Sequence, residues 1–357
     1  MNTFDWTAID RWLRLGRPIH AQSLAGLDAS AHQLGGAVFN QCDLSGSRWQ
    51  TAALQGATFI GCDLRGADWR QAQLHSVTFS QCKLAGSRWS DTAATLLALS
   101  DCDLRDSDWR AAALEKSVLS QCQLNGSHWQ TARLLRTAFA SCDWHASHWR
   151  GAQLVQTSLN GADLRQADLA GLRADTSLFI KANFAGQSMP GIGLQRCTLQ
   201  GADFTGADLS GANLTECNAC EAHFEDTRLH GLLAPRGLFA QASFTRVLLA
   251  GAQLTSAVLQ KARLQQVDLV AASLARTVWD HAVLDRVNLA RSDLDYSRLV
   301  HVQGQQVDFR DSHLARANLH GARWVDCDFT GADLASARGT NPALAAAEQR
   351  SLEMELS

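Results

Sequence analysis

Starting at Leu44, an apolar residue recurs at every fifth position: Trp49, Leu54, Phe59, Leu64, Trp69, Leu74, Phe79, Leu84 and Trp89. The register runs from Ile19 to Leu334 without insertion or deletion, and weak centres, such as Ala94, Ala174, Ala219, Ala234 and Gly304, are few. Two residues before each centre lies a second column, usually small: Cys42, Ser47, Ala52, Ala57, Cys62, Ala67, Ala72 and Val77. A period of five fits no single regular element. On an α-helix a step of five turns by about 140°, so the centres would spiral around the whole surface. In one long strand the odd spacing would send alternate centres to opposite faces. The pattern closes if each unit is a short extended piece followed by a corner. The centre and the small residue two before it then point inward, while the other three positions face out or turn the chain. Glycine at Gly46, Gly56, Gly66, Gly161, Gly201 and Gly206 suits such a corner.

A second period of twenty lies over the first. Cysteine returns at Cys42, Cys62, Cys82, Cys102, Cys122 and Cys142, and tryptophan at Trp49, Trp69, Trp89, Trp109, Trp129 and Trp149. Four units therefore make one coil with four walls, and residues twenty apart stack at about 4.8 Å. About sixteen coils are expected, a β-solenoid on the order of 75 Å long held by neighbour-on-neighbour contacts. Both ladders are assigned to the core. Large centres face small partners such as Ser47, Ala67, Ser87 and Ser107, as close packing requires. A serine hydroxyl or a backbone carbonyl is the expected acceptor for each buried indole N–H.

The stretches "GADLRQADLAG" (161–171), "GADFTGADLSGANL" (201–214) and "GADLASA" (331–337) repeat a unit A[DN]LXX. The chain resembles the pentapeptide-repeat family on these units, over roughly residues 19–338. The resemblance implies an all-β fold, a right-handed quadrilateral β-helix. The N-terminal half departs from the family unit by placing Cys and Trp where Ala and Leu are usual. The expected organisation is an N-terminal helical cap (1–18), the solenoid (19–338, Cys/Trp-rich to about 150 and more regular after), and a C-terminal helix (339–357). In the first helix Thr7 is the expected N-cap, with Ile9, Trp12 and Leu13 on one stripe. In the last, Asn341 is the N-cap and Pro342 the first helical residue. That helix is also a candidate homodimer contact.

The chemistry-bearing residues point away from catalysis. A straight column of thiols about 4.8 Å apart suits neither a disulfide nor a tetrahedral metal site. Of the ten cysteines, Cys220 alone is expected to face outward. His128, His145 and His148 form one local cluster, read as solvated surface histidines. An unbroken five-residue register leaves no loop or cleft for an active site. No catalytic residue, metal or cofactor is therefore assigned, and the chain is not expected to be an enzyme. The start lacks the apolar core of a signal peptide, and no apolar run is long enough to insert in a membrane, so a cytoplasmic location is expected.

Function must then be read from outward positions. The columns Asp43, Asp63, Asp103, Asp143, Asp163, Asp203 and Asp68, Asp108, Asp168, Asp208 are acidic, but Arg48, Arg65, Arg70, Arg88, Arg105, Arg110, Arg150 and Arg165 interleave with them. These aspartates are assigned to the corner backbone. The wall centred on Phe39, Phe59 and Phe79 differs: from Val38 to Val278 and from Asn40 to Gln260, the columns flanking its centres carry no charge. Val38, Ile60, Val118, Leu178, Ile180, Leu238, Val258 and Val278 on this wall are candidate contacts for another protein. The reading is a non-catalytic protein–protein interaction scaffold. The family resemblance suggests an accessory or effector-loading component of a bacterial type VI secretion system. The alternative it implies is DNA mimicry towards gyrase or topoisomerase, with quinolone protection. A net charge of −3 is far from phosphate-like density, and no direct nucleic-acid binding is expected.

Overall fold

Most corners, though not those that follow the three-residue strands, are closed by one hydrogen bond, from the N–H three residues after a centre to the carbonyl of that centre. Ser47 to Leu44 (3.2 Å), Ala52 to Trp49 (3.0 Å) and Ala57 to Leu54 (2.9 Å) are successive examples. The third residue of such a turn has positive φ, as type II geometry requires. Glycine fills that place at Gly46, Gly56 and Gly66 (φ 63, 70 and 68°), but Gln41, Thr51 and Lys116 adopt the same left-handed conformation (φ 55, 57 and 51°). The corner is thus imposed by stacking and does not depend on glycine.

A computed structural model describes residues 6–355. The chain divides into two units, Met1–Asn183 and Phe184–Ser357. Each winds as a right-handed quadrilateral β-helix of parallel coils, about 15 turns in total, and among the described residues helix is confined to two short segments. In the first unit the phenylalanine wall is a parallel sheet from Ile19–His20 through Val38–Asn40 and Thr58–Ile60 to Ala138–Ala140. Its register is twenty throughout, with Phe39 opposite Phe59 and Phe59 opposite Phe79. The wall after the tryptophans pairs Gln73–His75 with Ala93–Thr95 and continues in parallel to Arg173–Asp175. In the second unit the long sheet runs from His223–Glu225 to Arg323–Val325.

Helix α1 (Trp6–Arg14) buries Ile9 and half-buries Trp12 and Leu13, and Trp6 stacks on His32 with ring centroids 3.7 Å apart. Thr7 lies inside α1 and so is not its N-cap. Gly16 (φ 60°) closes the other end: its N–H reaches Leu13 O and that of Arg17 reaches Trp12 O, the paired bonds of a Schellman cap. Helix α2 (Pro342–Glu355) is capped by Asn341, whose Oδ1 accepts the N–H groups of Ala343 and Leu344 at 3.0 and 3.2 Å. It lies beside the corner of the last coils at His301 and His320, and leaves Leu334 of the final coil exposed.

The core is built as columns. Trp49, Trp69, Trp89, Trp109, Trp129 and Trp149 are fully buried, with successive rings stacked at 4.5–5.2 Å. Phe39, Phe59 and Phe79 stack beside them and meet the indoles edge to face. The weak centre Gly304 has a physical reason. The Trp324 ring of the next coil leans into its space, so that a Cβ at Gly304 would lie 2.3 Å from it.

Candidate protein-docking surface

On the uncharged wall of the first unit, each strand buries its centre and presents the two flanking residues to solvent. Ile60, Val118 and Leu178 are exposed, Val118 at 46%, and Val38 and Ile180 are half-buried. In the second unit Leu238 is exposed and Val258 and Val278 are half-buried. There the wall acquires charge at Asp280 and Arg298, which pair at 2.7 Å. Exposed apolar side chains also occur elsewhere, at Leu135 and Val155 for example, but among Arg133, Glu115 and Arg173. What sets the phenylalanine wall apart is therefore the absence of charge over many stacked coils.

The aspartate columns do different work. Asp63 Oδ1 accepts the Arg65 N–H at 3.2 Å, and its carboxylate holds the Arg65 guanidinium at 2.5 Å. The same two-residue clamp recurs at Asp68–Arg70, Asp103–Arg105, Asp108–Arg110, Asp163–Arg165 and Asp308–Arg310. The Arg65 guanidinium holds Asp63 below the usual carboxylate range, and Arg105 does the same for Asp103. Where no arginine follows, serine or threonine supplies the partner, as at Asp43–Ser45 and Asp203–Thr205. The carboxylates are thus engaged at the corners, and those followed by arginine are paired with a cation there.

Among the ladder cysteines, Cys42, Cys62, Cys82, Cys102 and Cys122 are buried and unbridged, and each Sγ donates to carbonyl oxygens 23 residues and two residues earlier. The Cys102 thiol and burial push Cys122 up to about 12, and burial does the same for Cys217. Cys220 is part-exposed, but so are Cys142 and Cys327. Cys142 and Cys327 keep the inward ladder contacts, to Leu119 O and Gly304 O, so the structure adds partial exposure at these two ladder positions that the spacing did not indicate. Cys142 lies two residues before Trp144, an indole at a leucine position, and Cys327 lies in the last, incompletely covered coil. His128 and His148 stack face to face at 4.8 Å, with rings 7° from parallel, and the backbone N–H of His145 donates to Asn125. Parallel rings do not converge their nitrogens. Among the described residues the converging set is His301, His320 and Glu348. Sequence spacing gave no sign of it, since Glu348 stands 28 residues beyond His320 and on a helix. A void in the second unit, lined by Leu232, Phe239, Leu249 and Leu269, is about 10 Å³, room for one water at most.

The coil geometry coincides with family models. A "Pentapeptide repeat region" matches residues 32–109, and "Pentapeptide repeats (8 copies)" matches 132–171, 177–215, 207–232, 238–274 and 305–338. The chain belongs to the pentapeptide-repeat family. No curated protein matches it. Solved pentapeptide-repeat structures similar to it include QnrB1, a plasmid-mediated fluoroquinolone resistance protein (16% identity, 60% of this chain and 92% of that one, TM-score 0.31). Another is HetL, involved in heterocyst differentiation regulation in the cyanobacterium Nostoc sp. strain PCC 7120 (21% identity, 84% and 89%, TM-score 0.15). A third is Rfr23 from the cyanobacterium Cyanothece 51142 (17% identity, 34% and 90%, TM-score 0.18). No described helix of this pentapeptide-repeat chain is long and apolar enough to cross a membrane.

Proposed function

We propose that this pentapeptide-repeat protein is a non-catalytic scaffold that docks another protein on its phenylalanine wall. The observation that carries the reading is the contrast between walls. Many of the aspartates and arginines on the leucine and tryptophan walls are paired in corner clamps, whereas the phenylalanine wall offers Ile60, Val118 and Leu178 with no charge in the flanking columns of the first unit. Apolar area free of charge is what the centre of a protein interface uses, because an unpaired charge there is costly to desolvate. Within this reading the partner belongs to a bacterial type VI secretion apparatus; that assignment rests on the family resemblance of the Cys/Trp-rich coils.

The direct test is site-specific photo-cross-linking in the host. A photoreactive residue at Val118 or Leu178 should give a discrete adduct, and one at the exposed Arg105 should not. Adducts from Arg105 alone would move the docking surface to the clamped walls. The competing reading, DNA mimicry, requires a dense array of unpaired carboxylates, and the arginine clamps pair many of those in the columns. Protection of gyrase supercoiling from a quinolone by stoichiometric protein would support that reading against ours.

A further inference from the structure

His301 and His320 occupy neighbouring coils, and Glu348 stands on the second turn of α2. Glu348 Oε2 lies 3.2 Å from the Nε2 atoms of both histidines, and all three ligand atoms fall within 4.8 Å of one another. We propose that His301, His320 and Glu348 form a binding site for a divalent transition metal of the zinc class, which clamps α2 onto the last coils.

Ligand atoms around a tetrahedral zinc with bonds of about 2.0–2.1 Å lie about 3.3 Å apart. Two edges of that figure are already present, and closing the third needs the two imidazoles to draw together. Two ring nitrogens and one carboxylate select zinc, cobalt or nickel over calcium or magnesium, which take oxygen. The site is also built. A Cβ at Gly321 would lie 2.2 Å from His301 Nδ1, so glycine there is what lets the His301 ring lean towards Glu348. Thr340 Oγ1 accepts the Gly321 N–H at 3.2 Å and holds the chain as it enters α2. The open side is a groove of about 970 Å³ whose lining includes Asp280, His281, Arg298 and Arg323. Asp280 pairs with Arg298 through Oδ2 and leaves its buried Oδ1 without a hydrogen-bond partner.

One contact opposes the ion. The Asn341 N–H donates to His320 Nδ1 at 3.0 Å, which places the ring proton of neutral His320 on Nε2, facing Glu348. A metal at Nε2 moves that proton to Nδ1, and the Asn341 amide must turn away. Asn341 is exposed, so water replaces the lost acceptor. The contacts of both histidines with Glu348 and the Asn341 hydrogen bond to His320 are then exchanged for three coordinate bonds, and metal loading leaves a mark at the start of α2.

Zinc titrated into metal-stripped full-length protein against a chromophoric competitor should bind one ion per chain. The stoichiometry should survive in a Cys142→Ser/Cys220→Ser/Cys327→Ser variant, which removes the part-exposed thiols. Glu348→Gln and His301→Ala should each weaken binding at least about 10–100-fold, the loss typical of disturbing even the outer shell of a metal site. Zinc should also speed hydrogen exchange at the Asn341 amide in wild type and not in Glu348→Gln. Absence of binding at micromolar zinc, undiminished binding in Glu348→Gln, or a sulfur-to-metal band with cobalt would each overturn the assignment.

Discussion

An indole N–H inside a dry column needs an acceptor, and in this chain it comes from the residue two before. Trp49, Trp89, Trp109, Trp129 and Trp149 donate to Ser47, Ser87, Ser107, Ser127 and Ser147 at 2.6–3.0 Å, and Trp279 donates to Thr277 at 2.7 Å. Trp69 follows Ala67, and its Nε1 has no hydrogen-bond partner. Ala67→Ser should therefore stabilise the protein by about 1 kcal/mol, the net worth of one hydrogen bond, read as a raised urea midpoint. A loss of stability would mean that the alanine is needed for volume. Trp89→Ala should cost roughly 3–5 kcal/mol, since the stack on both sides holds a cavity open; a change under about 1 kcal/mol would contradict the packing described. At this scale the sequence was informative, because one offset of two residues carries both packing and polar satisfaction. Thiol exposure was less legible, since it depends on what the neighbouring coil does. A thiol reagent acting on native protein should modify Cys142, Cys220 and Cys327 and spare Cys42 to Cys122; rapid labelling of the latter would contradict their burial.

The corner is the element that repeats, and its strain is separable from its packing. At Gly66 (φ 68°) a Cβ meets nothing within 4 Å, so Gly66→Ala should cost only the left-handed penalty of about 1–2 kcal/mol. At Gly304 the Trp324 ring must move, and Gly304→Ala should cost more, although its backbone is unstrained. Equal costs, measured by denaturant unfolding, would contradict this account. The aspartate clamps add a pH dependence. Because Arg65, Arg105, Arg165 and Arg310 hold Asp63, Asp103, Asp163 and Asp308 below the usual range, their contribution is fully present above about pH 4. It is lost as pH falls through the lowered folded values. The denaturation midpoint should thus decline below pH 4, and a flat profile would show that the clamps contribute nothing. The five-residue register made the corner legible. That the corner tolerates Gln, Thr and Lys was not, since only stacking with the coils on either side overrides the preference for glycine. The pairing of α2 with His301 and His320 was equally hidden, because it joins a helix to a corner outside any repeat.

For the whole molecule, the division of labour between walls is the claim that matters, and the two kinds of wall differ in what a substitution does. Asp68 is only 6% exposed and accepts Arg70 and Gln50, so reversing its charge disturbs the fold and cannot serve as a surface control. Arg65 and Arg105 are exposed and bind only their own corner aspartates. Arg65→Glu with Arg105→Glu is therefore the proper comparison for Val118→Asp with Leu178→Asp. A docked protein covers about 800 Å² on each side, and an unpaired carboxylate beneath it costs several kcal/mol, whereas on a solvated wall it costs almost nothing. The decisive measurement is quantitative partner capture from the native host by these two double variants, after unfolding curves establish that both are folded. The wall assignment predicts near-complete loss of capture for Val118→Asp/Leu178→Asp and near-wild-type capture for Arg65→Glu/Arg105→Glu. The opposite ranking would contradict it and place recognition on the charged walls.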